Sequence, residues 1–138
     1  MSNFTELSAA WGSEVLVVTD VTQVSSAEIT VVKEQALDNG CDGILDSAYS
    51  RSVFTVEPGN NCIRYRLTAI NAGTGNVMNV VVADATPTFT SYEGSASCNQ
   101  SNCSLLEPSG GSEGDIVASL PLLLAGDSVV VEFMVRVD

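Results

Sequence analysis

Three aspartates spaced four residues apart are the first side chains in this sequence that could do chemistry together. The stretch Asp38-Asn-Gly-Cys-Asp42-Gly-Ile-Leu-Asp46 resembles a calcium loop of the DxDxDGxxD kind, with Gly40 where the second acidic ligand would stand. Carboxylates at this spacing can surround a hard cation with oxygens, and the glycine after Asp42 permits a sharp turn. The spacing therefore predicts calcium bound by Asp38, Asp42 and Asp46. The alternative is an acidic, solvated loop closed by a neighbouring disulfide.

Four cysteines, Cys41, Cys62, Cys98 and Cys103, could form two disulfide bonds. None belongs to a Cys-x-x-Cys pair, so the spacing argues against zinc ribbons and thioredoxin-like redox sites. An even cysteine count in an acidic chain with one lysine suits an oxidising compartment. Three pairings are formally open. Closing the short polar tip CNQSNC is the simplest choice, and it leaves Cys41 to pair with Cys62.

The only lysine, Lys33, lies in an otherwise apolar segment and could form an amide crosslink with an Asn or Asp side chain. Asn71, Asn79 and Asp84 are the candidate partners, and such a bond would need help from a neighbouring acid. The alternative is a lysine that faces solvent or protects a strand edge.

Histidine is absent from the sequence, which removes the commonest general base, the usual serine and cysteine triads and most transition-metal sites. No Ser-x-x-Lys arrangement is present to activate a serine. Five basic residues stand against seventeen acidic ones, a net charge of −12. This balance argues against nucleic acid and anionic membranes, because those partners bind clustered Lys and Arg. Composition therefore predicts a protein that is not an enzyme and has no cofactor other than calcium.

The elements that position these residues are predicted to be strands throughout. Valine, threonine and serine are abundant, turn signals recur along the chain, and no segment has capped helical periodicity. A chain of 138 residues with this pattern is long enough for one core. It predicts an all-β, immunoglobulin-like antiparallel β-sandwich of seven to nine strands. The predicted strands are 14–22, 27–36, 51–57, 62–71, 77–84, 88–93, 115–120 and 127–137.

The order of motifs resembles domain of unknown function 11, a conserved-repeat domain of bacterial and archaeal surface proteins. The tract Tyr65-Arg-Leu-Thr-Ala-Ile-Asn71-Ala-Gly73 is similar to its YxxTxxNxG pattern, and NVVVADATP, which follows, is similar to NVxVxDxxP. The resemblance covers about residues 29–138 and departs from the family at Ala125, where proline is usual. It implies an immunoglobulin-like sandwich, often in tandem repeats, in secreted or cell-wall proteins. It supplies no activity and no catalytic residues.

The chain divides into an N-terminal extension, 1–28, and the sandwich, 29–138. The extension lies outside the family pattern, and its segment 14–22 (EVLVVTDVT) has a high strand propensity. This strand could add to its own sandwich or end a preceding repeat. It could instead insert into the sheet of another subunit and polymerise the protein, because an unpaired edge is a template for further pairing. The assembly residues would then be Val15, Leu16, Val17, Val18 and Val21.

The predicted function is that of a non-catalytic extracellular structural module, either a repeat of a cell-surface protein or the subunit of a filament. Its partners would be other copies of itself or neighbouring repeats. The alternative is an adhesin-type domain that binds a carbohydrate or a protein through its loops. No apolar stretch reaches the roughly 20 residues of a transmembrane helix. The cysteines and the resemblance predict a secreted or cell-surface location in a prokaryote.

Overall fold

The computed structural model describes the backbone of residues 2–11, 14–23 and 25–138, and the side chains from residue 25 onward except that of Ser95. These residues form nine strands and no helix, so none of them lies in a helix that could cross a membrane. The strands are β1 (Ser2–Trp11), β2 (Glu14–Gln23), β3 (Ile29–Asn39), β4 (Asn61–Asn71), β5 (Val77–Ala85), β6 (Thr90–Cys98), β7 (Ser104–Leu106), β8 (Asp115–Leu123) and β9 (Ser128–Val137).

Seven of the strands form two antiparallel sheets, which confirms the predicted all-β sandwich. One sheet has the order β3-β4-β9-β6 and the other has the order β5-β8-β7, while β1 and β2 pair with each other. In an immunoglobulin constant domain the last strand belongs to the three-stranded sheet. Here β9 lies inside the four-stranded sheet, so the chain keeps the sandwich architecture with a strand order of its own.

The core is built from alternating residues of the central strands. Tyr65 of β4 is 8% exposed and Phe133 of β9 is fully buried, and their ring centroids are 5.3 Å apart. Full burial of a side chain such as that of Phe133 contributes about 1.5–3 kcal/mol. The other core residues are Ile63, Leu67, Ala69, Val80, Val82, Tyr92, Ile116, Ala118, Leu120, Leu123, Val129, Val131 and Val135.

One predicted strand, 51–57, is wrong, because these residues form an irregular loop. Val53 is 93% exposed, and of this segment Val56 packs against the core. The neighbouring edge of β3 is occupied at Gln35. Ser50 exchanges two backbone hydrogen bonds with Gln35 there, at 2.8 and 2.9 Å.

The first strand of the sandwich, β3, begins at one end of the four-stranded sheet, and the last strand, β9, ends at the opposite end. Ile29, the first residue of β3, pairs with Asn71 at the end of β4. Arg136, near the end of β9, pairs with Cys62 at the start of β4. A strand rises about 3.4 Å per residue, so these two points are separated by about 30 Å along the sheet.

The segment 25–28, which leads into β3, is fixed against the turn that follows β4. Thr74 N and Gly75 N both donate to the carbonyl oxygen of Ser26, at 2.8 and 2.9 Å. A Cβ atom on Gly73 would collide with this same carbonyl. Glycine is therefore required at position 73 because of the close approach of two backbones. The extension consequently leaves the sandwich from a defined point.

Candidate functional site

Both predicted cysteine pairs are bonded in the structure. Cys41 is linked to Cys62, with Cα atoms 5.1 Å apart, and this bond joins the end of β3 to the start of β4. Cys98 is linked to Cys103 across the tip between β6 and β7, with Cα atoms 6.4 Å apart. Two covalent links therefore close loops of the four-stranded sheet, one at its β3–β4 corner and one at its β6 edge.

The three aspartates of the predicted calcium loop accept hydrogen bonds from the loop itself. Asp38 is fully buried, and its carboxylate accepts the N–H groups of Asp42 and Gly43 at 3.1 and 2.9 Å. Asp46 accepts the Asn39 N–H at 2.6 Å. In the part of the chain that the structure describes, no three acidic or cysteine side chains are grouped as metal ligands. The geometry thus shows the carboxylates shaping the turn, and calcium stays a prediction.

Lys33 lies on the core-facing side of the edge strand β3 and joins the two sheets. It pairs with the buried Leu67 across the ladder, and its Nζ atom lies 2.5 Å from Oδ2 of Asp84 on β5. The same Nζ atom lies 4.5 Å from the ring centroid of Tyr65. The Lys33 side chain is 41% exposed and that of Asp84 is 20% exposed. The structure therefore places Lys33 beside Asp84, one of its three candidate partners, in an ion pair between edge strands.

A small groove adjoins this ion pair between the β3 edge and the segment around Ser50. Its volume is about 250 Å³, which is below the roughly 300–1,000 Å³ of ordinary small-molecule sites. Burial and, to a smaller extent, the charge of Asp84 raise the pKa of Tyr65. The residues that line the groove are Lys33, Glu34, Gln35, Ser50, Arg51 and Tyr65.

The other two candidate partners of Lys33 have different roles. Asn71 is fully buried, and its side-chain amide donates to the carbonyl oxygens of Gly75 and Leu123, at 2.8 and 3.3 Å. Asn79 is exposed and has a positive φ of 55°. The asparagine and glycine of the motif that carries the family resemblance, Asn71 and Gly73, are therefore both residues that shape the turn after β4.

A polar cluster on the outer face of the four-stranded sheet was not predicted from the sequence. The Arg66 guanidinium carbon lies 3.8 Å from the ring centroid of Tyr49, and Arg66 donates to Glu34 at 2.8 Å. The Tyr49 hydroxyl donates to Glu132 at 2.9 Å. Burial, this hydrogen bond and the charge of Glu132 raise the pKa of Tyr49 to about 12. The cluster holds the segment around residue 49 against the sheet, and no sequence spacing connects its members.

The predicted assembly strand lies in β2. It pairs along its whole length with β1, from Glu14 opposite Trp11 to Gln23 opposite Ser2. The side chains of Val15, Leu16, Val17, Val18 and Val21 lie outside the described residues. Neither β1 nor β2 belongs to a sheet of the sandwich.

Three of the four edge strands of the sandwich are protected against further pairing, in ways that natural sheets commonly use. The ladder of β6 has two register shifts, and Tyr92 on this strand exchanges backbone hydrogen bonds with residues 111–112. Strand β7 is only three residues long. The edge of β3 is covered at Gln35 by Ser50, and Lys33 places a charge on its inner side.

The edge of β5 is open along residues 80–85, except that the Ala85 N–H donates to Oδ1 of Asp84 at 3.0 Å. From Val80 to Ala85, the backbone makes no backbone–backbone hydrogen bond other than those to β8, as far as the described residues show. Before this segment the ladder skips Asn79, which lies opposite Pro121, a residue without an N–H group. Val81 is 61% exposed on the outer face. We use the term acceptor edge for residues 80–85 of β5.

Comparisons with known proteins found no match: no family model, no curated protein and no solved structure matches the chain. The resemblance to domain of unknown function 11 therefore stays a prediction carried by the motif residues alone.

Proposed function

We propose that this protein is a non-catalytic, extracellular structural module that builds a cell-surface structure or filament by strand addition from its N-terminal extension. The observation that carries the proposal is the position of β1 and β2. The seven strands from β3 to β9 already enclose the core. The pair β1–β2 belongs to neither of their sheets, so it is available to pair elsewhere.

Several properties support a structural role outside the cell. The chain lacks histidine, and the groove beside Lys33 is small. Two disulfides restrain the sandwich, which suits an oxidising compartment. A two-stranded hairpin is at best marginally stable by itself in water. The extension would therefore gain free energy by joining a larger sheet, and a repeat or subunit that joins copies of itself provides one.

Light scattering combined with electron microscopy of the native protein tests this proposal. We expect assemblies larger than the 14.4 kDa chain, and we expect them to disperse when residues 2–23 are deleted. The deletion retains 25–28, which hydrogen-bonds to the turn at Thr74 and Gly75. A monomeric wild-type protein would remove the basis for strand addition.

One observation favours a second function, that of an adhesin-type binding domain. Phe89 is 77% exposed in the turn between β5 and β6, and it has a positive φ of 64°. Exposed aromatic residues in strained backbone occur at ligand contacts. Under this alternative, a Phe89→Ala variant would lose binding to a carbohydrate array that the wild-type protein recognises. If the wild-type protein bound no sugar on the array, that result would contradict carbohydrate recognition.

Calcium at Asp38, Asp42 and Asp46 is a separate prediction with its own test. Calcium added after chelation should raise the melting temperature if the loop binds the ion, because ligands that bind only the native state stabilise it. An unchanged melting temperature would leave the loop as a turn held by its own hydrogen bonds.

A further inference from the structure

We propose that the acceptor edge, residues 80–85 of β5, receives strand β2 of a second copy of this chain. This inference rests on the proposed function and adds the surface on which strand addition takes place. An added strand pairs its backbone with the unpaired N–H and C=O groups of an edge. The best acceptor is therefore the edge strand that has unpaired N–H and C=O groups.

The protected edges leave β5 as the best acceptor. Strand β6 is covered by residues 111–112, β7 is too short, and β3 is covered at Gln35. On β3, residues 29–34 also have no backbone partner other than β4 among the described residues, but Lys33 and Glu34 place two charges on this stretch. The ion pair between Lys33 and Asp84, at 2.5 Å, places one inward charge on each of the two edges and therefore does not distinguish them. Uncharged residues 80–83 precede Asp84 without interruption.

Strand β2 suits the acceptor edge in length and composition. It has ten residues, Glu14–Gln23, with no glycine or proline to interrupt pairing. It pairs with β1 on one side, and the order of the two-stranded sheet leaves its other side unpaired among the described residues. A hairpin of this kind would add to β5 through β2 and would keep β1 at the new edge.

The donor is assigned to a second copy because of how the hairpin behaves in its own chain. Strand β2 ends at Gln23, two residues before the segment 25–28, and a connection this short gives an effective concentration near zero toward any edge of its own sandwich that it cannot span. In the structure, β2 pairs with no strand of that sandwich. The segment 25–28 that follows it is held by the Ser26 carbonyl against the turn after β4.

A matched pair of charge substitutions in the full-length protein tests the edge. Val81→Asp puts a charge on the acceptor edge, and Leu106→Asp puts the same charge on β7, the opposite edge of the same sheet. The two residues face outward and are 61% and 67% exposed, so neither change disturbs the core. We expect light scattering to show loss of assemblies for Val81→Asp and assemblies of wild-type size for Leu106→Asp. Far-ultraviolet circular dichroism should show that both variants keep their strands.

The possible results separate this inference from the proposed function. If the wild type assembles and Val81→Asp does too, the acceptor edge is wrong while strand addition survives. If both variants become monomers, the outer face of the sheet, and not its edge, is the contact surface. A monomeric wild type overturns both proposals.

Hydrogen exchange at the acceptor edge shows whether the donor strand belongs to the same chain or to a second copy. In assemblies, the outward amides of residues 80–85 should exchange more slowly than in Val81→Asp. Slow exchange in a monomeric wild type would show that β2 pairs within its own chain, which would overturn the second-copy donor. Fast exchange in wild-type assemblies would place the contact somewhere else.

Discussion

At the scale of single residues, the tyrosines connect burial to pH. Burial and a hydrogen bond to Glu107 raise the pKa of Tyr92 to about 12, as burial and Glu132 do for Tyr49. In both cases the ordinary value is 10.0. Because the pKa of Tyr65 is raised as well, the folded chain keeps three tyrosine protons that the unfolded chain loses first. Their contribution to stability is complete below pH 10 and is lost as the pH rises toward 12.

We accordingly expect the tyrosines of the folded protein to ionise above pH 10, as followed by tyrosinate absorbance. In concentrated urea the midpoint should fall to the ordinary value. The melting temperature should decline over the same interval, and Tyr49→Phe should reduce that decline. Folded protein whose tyrosines titrate near pH 10 would contradict their burial and the hydrogen bonds to Glu132 and Glu107.

The ion pair between Lys33 and Asp84 is expected to stabilise the sandwich modestly. The two side chains are 41% and 20% exposed, and pairs in contact with water contribute about 0.2–1 kcal/mol. A double-mutant cycle with Lys33→Met and Asp84→Asn, measured by urea unfolding, should give a coupling energy in that range. Additive single changes would show that the contact has no energetic effect.

The intact mass checks the chemical nature of this pair. We expect the mass of the sequence less the four hydrogens lost in two disulfides. The further loss of one water would show an amide between Lys33 and Asp84 in place of the ion pair.

Gly73 gives the clearest steric prediction. Its hypothetical Cβ meets backbone atoms of 26–28, so Gly73→Ala must displace that segment. We expect a loss of about 1–3 kcal/mol in urea unfolding, as for other overpacked sites. Gly110→Ala is the control, because a Cβ there meets nothing within 4 Å. Equal stabilities of the two variants would contradict the close approach.

At the scale of elements, the sequence predicted the central strands better than the edges. The segments 62–71 and 127–137 agree within one residue with β4 and β9, because a central strand shows its alternation on a buried face. The segment 88–93 is shorter than β6, Thr90–Cys98. The second half of β6 (GSASC) has little strand propensity and is held by its irregular pairing with β9.

The roles of individual side chains at the edges depend on strand register, which a single sequence does not reveal. The sequence marked Lys33 as unusual and proposed Asp84 among its partners. Its inward direction follows from its position opposite Leu67. Likewise, the aspartates at 38, 42 and 46 could be recognised in the sequence as regularly spaced acidic residues. Their role as acceptors for backbone N–H groups required the folded turn.

At the scale of the whole molecule, charge opposes self-association. Each copy carries a net charge of −12. The repulsion between copies decays over about 30 Å at 0.01 M salt but over about 8 Å at 0.15 M. We therefore expect light scattering to show larger assemblies as the salt concentration rises through this interval. Assemblies that disperse in salt would indicate that attraction between opposite charges holds the copies together.

The opposite placement of the two ends of the sandwich also determines how it would carry tension. A pull on residues 28 and 138 in opposite directions loads the β3–β4 and β4–β9 ladders in shear, so that all their hydrogen bonds resist at once. If β3 slides, the Cys41–Cys62 bond stops it and keeps the loop between these cysteines, with its sequence separation of 21, out of the extending chain. Reduction of this bond should therefore lengthen the unfolded tether by about 75 Å in a single-molecule pulling experiment. Under tension, the disulfide would therefore limit how far the folded chain can stretch.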